Sequence, residues 1–172
     1  TLRRELDGVQ KILKTGLATI LRSGLKDAKA AEALIVYLKR RGLSPRSGNY
    51  VDTLVRTHAS IAYGLAQRAG YAGDPDLWGF EYVTMQDDRV RESHAILHGI
   101  RRRWDDPFWD LYWPPNGWGC RCQAVALYGV NIRQTRIPSG ATPDLEFKAQ
   151  YDGLRLAHEK NFGQNSPILS IY

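Results

Sequence analysis

From Leu2 to Arg22 the apolar positions are Leu6, Val9, Leu13, Leu17 and Ile20, with Leu21 beside the last. Steps of three and four place them on one stripe of a helix, and Ser23-Gly24 is the break that ends it. A second helix is predicted from Asp27 to Arg41, with Ala31, Leu34, Ile35 and Leu38 on one face and Gly42 as its stop. Its basic end, Lys39-Arg40-Arg41, suits the negative pole of a helix dipole. Leu43 to Asn49, with Pro45 and Gly48, reads as a linker. A third helix is predicted from Tyr50 to Ala69, its inner face drawn by Val51, Leu54, Val55, His58, Ile61, Ala62 and Leu65, and closed by Gly70.

The helical period then stops. Gly73-Asp74-Pro75-Asp76 is turn chemistry, and Phe80 to Met85 has the aromatic and β-branched content of a strand. Asp87 or Asp88 is placed to cap a short helix running to His98. Arg101 to Gly119 is dense in Trp, Pro, Asp and Gly and follows no period, so it reads as an ordered loop held by its rings. Cys120 to Tyr128 is a second strand, with Cys122, Ala124 and Ala126 on one face, and a weak helical pattern follows from Asp144 to His158. The expected fold is α+β and mainly helical, front helices followed by a small β-containing motif module. Its expected regions are a basic helical part over 1–47, the motif module over 48–130 and an irregular tail over 131–172.

At 172 residues, 43% hydrophobic and 24% charged, the chain suits one domain or one domain with an extension. No window approaches the ~20 apolar residues of a membrane span, and the basic start meets no apolar signal core, so a soluble, unexported chain with no membrane partner is expected. Thr1 is not a start methionine, which makes a trimmed or partial chain plausible. The net charge of +6 is unevenly spread: residues 1–70 carry thirteen Lys and Arg against five acids, and residues 71–130 carry six against nine. Basic charge at the front would be felt by a polyanion, and Lys11, Lys14, Arg22, Lys39, Arg40 and Arg41 are the candidate phosphate contacts. A solvated helix face is the plainer account of the same residues. Arg101-Arg102-Arg103 is expected to pair internally with Asp105, Asp106 and Asp110.

Chemistry concentrates between Gln86 and Cys122, which holds two of the four histidines, both cysteines and four of the five tryptophans. His94 and His98 are four apart, so a helix would present both on one face. Cys120 and Cys122 are two apart, so a strand would do the same for the sulfurs. Two such pairs meet the needs of a tetrahedral zinc site, with Asp88 as a further oxygen ligand. A disulfide is disfavoured, because residues two apart on a strand lie roughly 6.6 Å apart with parallel Cβ vectors. Two buried free thiols and a core histidine bonded to Asp88 are the competing account.

The run Asp88-Arg89-Val90-Arg91, His94, Leu97-His98-Gly99, Asp106-Pro107-Phe108-Trp109, Pro114-Pro115-Asn116-Gly117-Trp118-Gly119 and Cys120-Arg121-Cys122 resembles the signature of phage Mu F-like head morphogenesis proteins. Arg56-Thr57 sits where that family usually has an Arg-Thr-Glu element, and the likeness extends over roughly residues 50–128. His58 stands where Glu is common in the family, and His98 where an acidic residue is common. The second departure favours Asp88, His94, Cys120 and Cys122 as the metal set, with His98 behind them.

The resemblance implies a minor head protein of a tailed phage or prophage, made in the host cytoplasm and carried in the capsid interior. Its implied partners are the portal or other head proteins, with double-stranded DNA as a further one. The alternative is a metal-dependent hydrolase or nuclease built on the Asp/His/Cys cluster. No phosphate-binding Gly-rich loop, nucleophile elbow or His-Glu-x-x-His helix accompanies that cluster, so a non-catalytic role is expected.

Overall fold

The three long periodic segments form helices in the computed structural model: α1 (Leu2–Arg22), α2 (Asp27–Lys39) and α3 (Gly48–Gly70). The structure describes residues 2–25, 27–44, 48–149 and 152. The chain divides into two compact units, Thr1–Ala59 and Ser60–Tyr172, and the division falls inside α3.

In the first unit the apolar stripes bury one another: Leu17 and Ile20 of α1, Ala30, Ala31, Leu34 and Leu38 of α2, and Val51, Leu54 and Val55 of α3. Each fully buried Leu, Ile or Val contributes roughly 1.5–3 kcal/mol. The side chains of Leu6, Val9 and Leu21 lie outside the described residues. Gly16 is where α1 and α2 approach closely, since a Cβ there would lie 2.4 Å from the Tyr37 ring. The end of α2 is built by local bonds. The Leu43 N–H donates to Leu38 O and the Gly42 N–H to Lys39 O, both at 3.0 Å, with Gly42 at φ 74. That is the glycine-dependent closure which satisfies carbonyls left over at a helix end, and Leu43 packs back on the core.

The second unit carries a three-stranded antiparallel sheet, in the order β2 (Arg101–Arg103), β1 (Leu77–Val83), β3 (Gln123–Tyr128). The predicted first strand begins three residues earlier and stops before Thr84, leaving Met85 exposed. The aperiodic span after Ile100 contains two short elements, β2 and α5 (Phe108–Tyr112). Three consecutive arginines carry no strand signal of their own. They pair with β1 because Gly79 lets β2 come close, and a Cβ at that position would lie 2.1 Å from Arg102 O.

One face of the sheet carries Leu77, Phe80, Tyr82 and Ala124 into a core with Leu97, Ile100, Phe108, Trp109, Tyr112 and Trp113. Phe80 meets the rings of Trp109 and Trp113 edge-on at 5.6 and 4.9 Å between centroids. Each tryptophan N–H finds a backbone carbonyl, Trp109 on Arg103 at 2.8 Å and Trp113 on Gly64 at 3.0 Å. Of the expected weak helix near the end, 145–149 is helical, with Phe147 packed on Ile61; residues 153–158 lie outside the described ones. Among the described residues, no helix is long and apolar enough to cross a membrane.

Two predictions follow from this packing. Gly79→Ala should lower unfolding stability by about 1–3 kcal/mol, because backbone rather than a mobile side chain blocks the new methyl. Gly140→Ala, whose Cβ would meet only Ile96 Cδ1 at 3.7 Å, should stay within about 0.5 kcal/mol of the parent in the same denaturant titration.

His58 gives a pH dependence. Burial lowers its imidazole from the ordinary 6.5, against the raising effect of the Leu54 carbonyl 2.8 Å from Nδ1. With the folded value below the unfolded one, acid protonates the unfolded chain first. The contribution of His58 is therefore whole above about pH 6.5 and lost as the pH falls below it. His58→Leu should flatten the decline of stability from pH 7 to pH 5, and an unchanged slope would contradict the assignment.

Candidate metal centre

The site is assembled at the end of β1. The Tyr82 N–H donates to Ile100 O, and Tyr82 O accepts from the Gly99 N–H, both at 2.8 Å. This pair holds the turn after α4 (Glu92–Ala95) against the strand, and Gly99 supplies its left-handed residue at φ 76. Extended backbone at Arg91 starts α4, and the N–H groups of His94 and Ala95 both donate to Arg91 O at 2.9 Å. His94 is thereby buried, 6% exposed.

The opposite wall is the segment from Pro114 to Cys122. Asn116 is buried, and its side-chain amide donates to Tyr82 Oη at 2.9 Å and to Tyr112 O at 2.8 Å. Gly117 and Gly119 take positive φ, and the Cys120 N–H donates to Gly117 O at 3.1 Å. Cys120 is buried, Cys122 half-buried, and both are free thiols.

His94 joins the two walls. Its Nε2 lies 3.1 Å from Asn116 O. A carbonyl only accepts, so Nε2 carries the hydrogen, and in the neutral ring Nδ1 is left with its lone pair. Nδ1 lies 3.6 Å from Cys120 Sγ and 3.6 Å from Cys122 Sγ. The three ligand atoms all lie within 4.8 Å of one another. Zinc bond lengths at tetrahedral angles separate a nitrogen and a sulfur ligand by ~3.6 Å. Metal-bound histidines characteristically donate their other ring N–H to a carbonyl or carboxylate, as His94 does to Asn116.

The sulfurs act as a coupled pair. The Cys122 thiol donates toward Cys120 and draws its thiol down to about 4, against the opposing effect of burial. Cys122 moves upward for the reciprocal reason, since it retains the proton that its neighbour lacks. Burial, with the sulfur pair beside it, also pushes the Tyr82 hydroxyl well above its usual range. Beside the cysteines, the Arg121 guanidinium grips Asp87 with two bonds of 2.7 and 2.6 Å. That pairing holds the Asp87 carboxyl below the ordinary carboxylate value.

Of the expected ligand set, His94, Cys120 and Cys122 come together, and Asp88 does not: it is exposed and stands outside the group. Nor do Asp87 or Asp88 cap α4. Asp87 Oδ1 accepts instead from the Arg89 N–H at 3.2 Å, which turns the chain before the helix begins. His98 leaves the shared face because α4 ends at Ala95. Its Nδ1 accepts the Thr84 N–H at 3.1 Å, with Thr84 Oγ1 at 3.2 Å. The cysteines precede β3 and are brought together by a glycine-rich turn, not by strand alternation. Arg103 pairs with Asp105 and Arg102 with Asp106, as expected, whereas Arg101 pairs with Glu81 and Asp110 with Arg68.

The basic candidates Lys11, Lys14, Arg22, Lys39, Arg40 and Arg41 all lie in the first unit and are all exposed, Arg41 over the Tyr37 ring at 3.9 Å. Sequence reasoning did not single out Asn116, Tyr82 or Arg121 for the site, and it offered Asp87 only as a helix cap. The signal for Asn116 is its place as the polar residue of Pro-Pro-Asn-Gly-Trp. Asn116→Ala removes both buried side-chain bonds and should cost about 2–4 kcal/mol in a denaturant titration. A loss under about 0.5 kcal/mol would show that the amide does not hold the two walls together.

Over residues 15–125 the chain matches the family model described as Phage Mu protein F like protein. It is 42% identical over 99 residues to the Mu-like prophage FluMu F protein of Haemophilus influenzae, across 56% of this chain and 23% of that one. It is 36% identical over 92 residues to the putative capsid assembly protein F of Escherichia phage Mu, across 53% of this chain and 20% of that one. An uncharacterized protein of Methanocaldococcus jannaschii is 32% identical over 104 residues, across 60% of this chain and 16% of its own length. The matched segment thus spans less than a quarter of each of these relatives. No solved structure matches.

Proposed function

The chain belongs to the Phage Mu protein F-like family, matched over residues 15–125, and from that premise we propose that it serves as part of a minor head protein, structural in role, in the assembly of a tailed-phage or prophage capsid. The observation that carries this reading is where the motif residues go. Trp109 and Asn116 of the motif are spent on Trp113, by ring contact, and on Tyr82, by a side-chain hydrogen bond, and all four are buried. Rigid, self-satisfied segments of this kind suit a part that must keep its shape inside a larger assembly.

The finer reading is that the protein acts from the capsid interior, on the portal or a neighbouring head protein, with packaged duplex DNA as a further contact. The six candidate cations support the DNA arm, because all of them are exposed. A metal-dependent hydrolase or nuclease is the second reading, and one feature favours it: three ligand atoms leave a fourth position for water.

Sedimentation of the chain with procapsids assembled with and without their portal protein tests the head role. Retention that depends on the portal is expected, and free sedimentation in both cases would overturn the portal contact. Duplex DNA binding should weaken steeply with salt, and Lys39→Glu/Arg40→Glu/Arg41→Glu should reduce the log–log slope by about three. A salt-independent affinity would remove the DNA arm. Cleavage of duplex DNA by the zinc-loaded chain, abolished by Cys122→Ser, would replace the structural reading with the nuclease.

A further inference from the structure

We propose that His94 Nδ1, Cys120 Sγ and Cys122 Sγ bind one zinc ion, whose fourth ligand is an oxygen donor entering through a mouth lined by arginine. This does not rest on the head role, since it draws only on the geometry of the second unit. Both Nδ1 to sulfur distances, 3.6 Å, are those of tetrahedral edges, so His94 already stands at ligand spacing from each sulfur. The histidine is held in the required tautomer by Asn116 O. Two sulfurs and an imidazole select a thiophilic ion over magnesium or calcium, which take oxygen.

The fourth position follows from what lies outside the cluster. A cavity of about 20 Å³ adjoins the cluster, lined by the three ligands together with Arg89, Arg91 and Arg121. That is room for one water-sized group. The arginines are not equivalent: Arg121 is held by Asp87, Arg91 donates to Trp118 O, and Arg89 is exposed on the rim. Zinc with two thiolates is formally neutral, so the cationic rim favours a hydroxide or a carboxylate over a neutral donor. Asp88, exposed nearby in sequence, is outside the group and is not that ligand here.

The test uses the intact chain, purified reduced and loaded with zinc or with cobalt as a spectroscopic substitute. One zinc per chain by elemental analysis is expected. So are protection of both thiols from alkylation until a chelator is added, and a raised thermal midpoint with the metal. Less than a tenth of an equivalent, with both thiols freely alkylated in excess zinc, would overturn the site.

The cobalt form should show thiolate-to-metal absorption, cut to about half by Cys120→Ser or by Cys122→Ser. If those variants fail to fold, the alkylation of the unaltered chain with and without zinc decides alone. Added azide or acetate should shift the cobalt spectrum. An unchanged spectrum would mean that the chain supplies its own fourth ligand and would overturn the open position. Arg89→Glu should weaken azide binding several-fold while leaving the zinc stoichiometry at one; loss of the metal itself would contradict the role given to the rim.

Discussion

The second unit depends on what Asn116 does with both of its polar ends. Its side chain ties α5, through Tyr112 O, to β1, through Tyr82 Oη, while its backbone carbonyl accepts from His94 Nε2 on α4. Three elements, the farthest partner 34 residues away in sequence, meet at one residue. Since each group is buried, losing any of these bonds leaves a donor or acceptor without water to replace it. The same carbonyl decides which nitrogen of His94 faces the sulfurs. The architecture of the core and the chemistry of the site are therefore set by a single hydrogen-bonded junction.

Around that junction the stability is mostly aromatic, and it works because glycines clear the way. Gly64 of α3 has no side chain where a Cβ would lie 2.6 Å from Pro114 O, so the proline segment reaches the helix and Trp113 can donate to Gly64 O. Gly79 does the same for β2. Trp109 and Trp113 are 0% and 1% exposed, yet neither sacrifices its indole N–H, and the ordered but irregular segment between Arg103 and Cys120 is held without long elements. Lys148, buried beside it, donates to Trp113 O at 3.4 Å, so even the carbonyls of this segment are used.

What could be read from the residues was what repeats. α1, α2 and α3 are legible because three or more turns of apolar spacing outvote any single residue, and their glycine stops are local chemistry. The short elements were not legible, because their conformation is decided by distant neighbours. Arg101–Arg103 becomes a strand by pairing with Gly79, Phe80 and Glu81, and the helix expected to run to His98 ends after one turn at Ala95. That early stop is why His94 and His98 part company. The convergence of His94 with Cys120 and Cys122 was visible as a list of residue types. The route to it was not: glycine turns, in place of strand alternation, bring the sulfurs round. Asp88 illustrates the limit of spacing arguments, since its neighbour Asp87 took the structural role by turning the chain and gripping Arg121.

The geometry also bears on whether such a centre clasps or catalyses. A hydrolytic zinc needs its bound water to meet a substrate, which requires a cleft able to hold more than the water itself. Here the opening accommodates about one such molecule, and two of the arginines around it are committed to Asp87 and Trp118 O. His94 comes from α4 while the cysteines come from the segment entering β3, so an ion between them would cross-link two parts of the chain separated by more than twenty residues. Closing a loop of that length restricts the unfolded chain far more than the folded one, which is how a metal clip stabilises. A small mouth, ligands drawn from separate segments and a rim on which two of the three arginines are paired internally all favour the clasp.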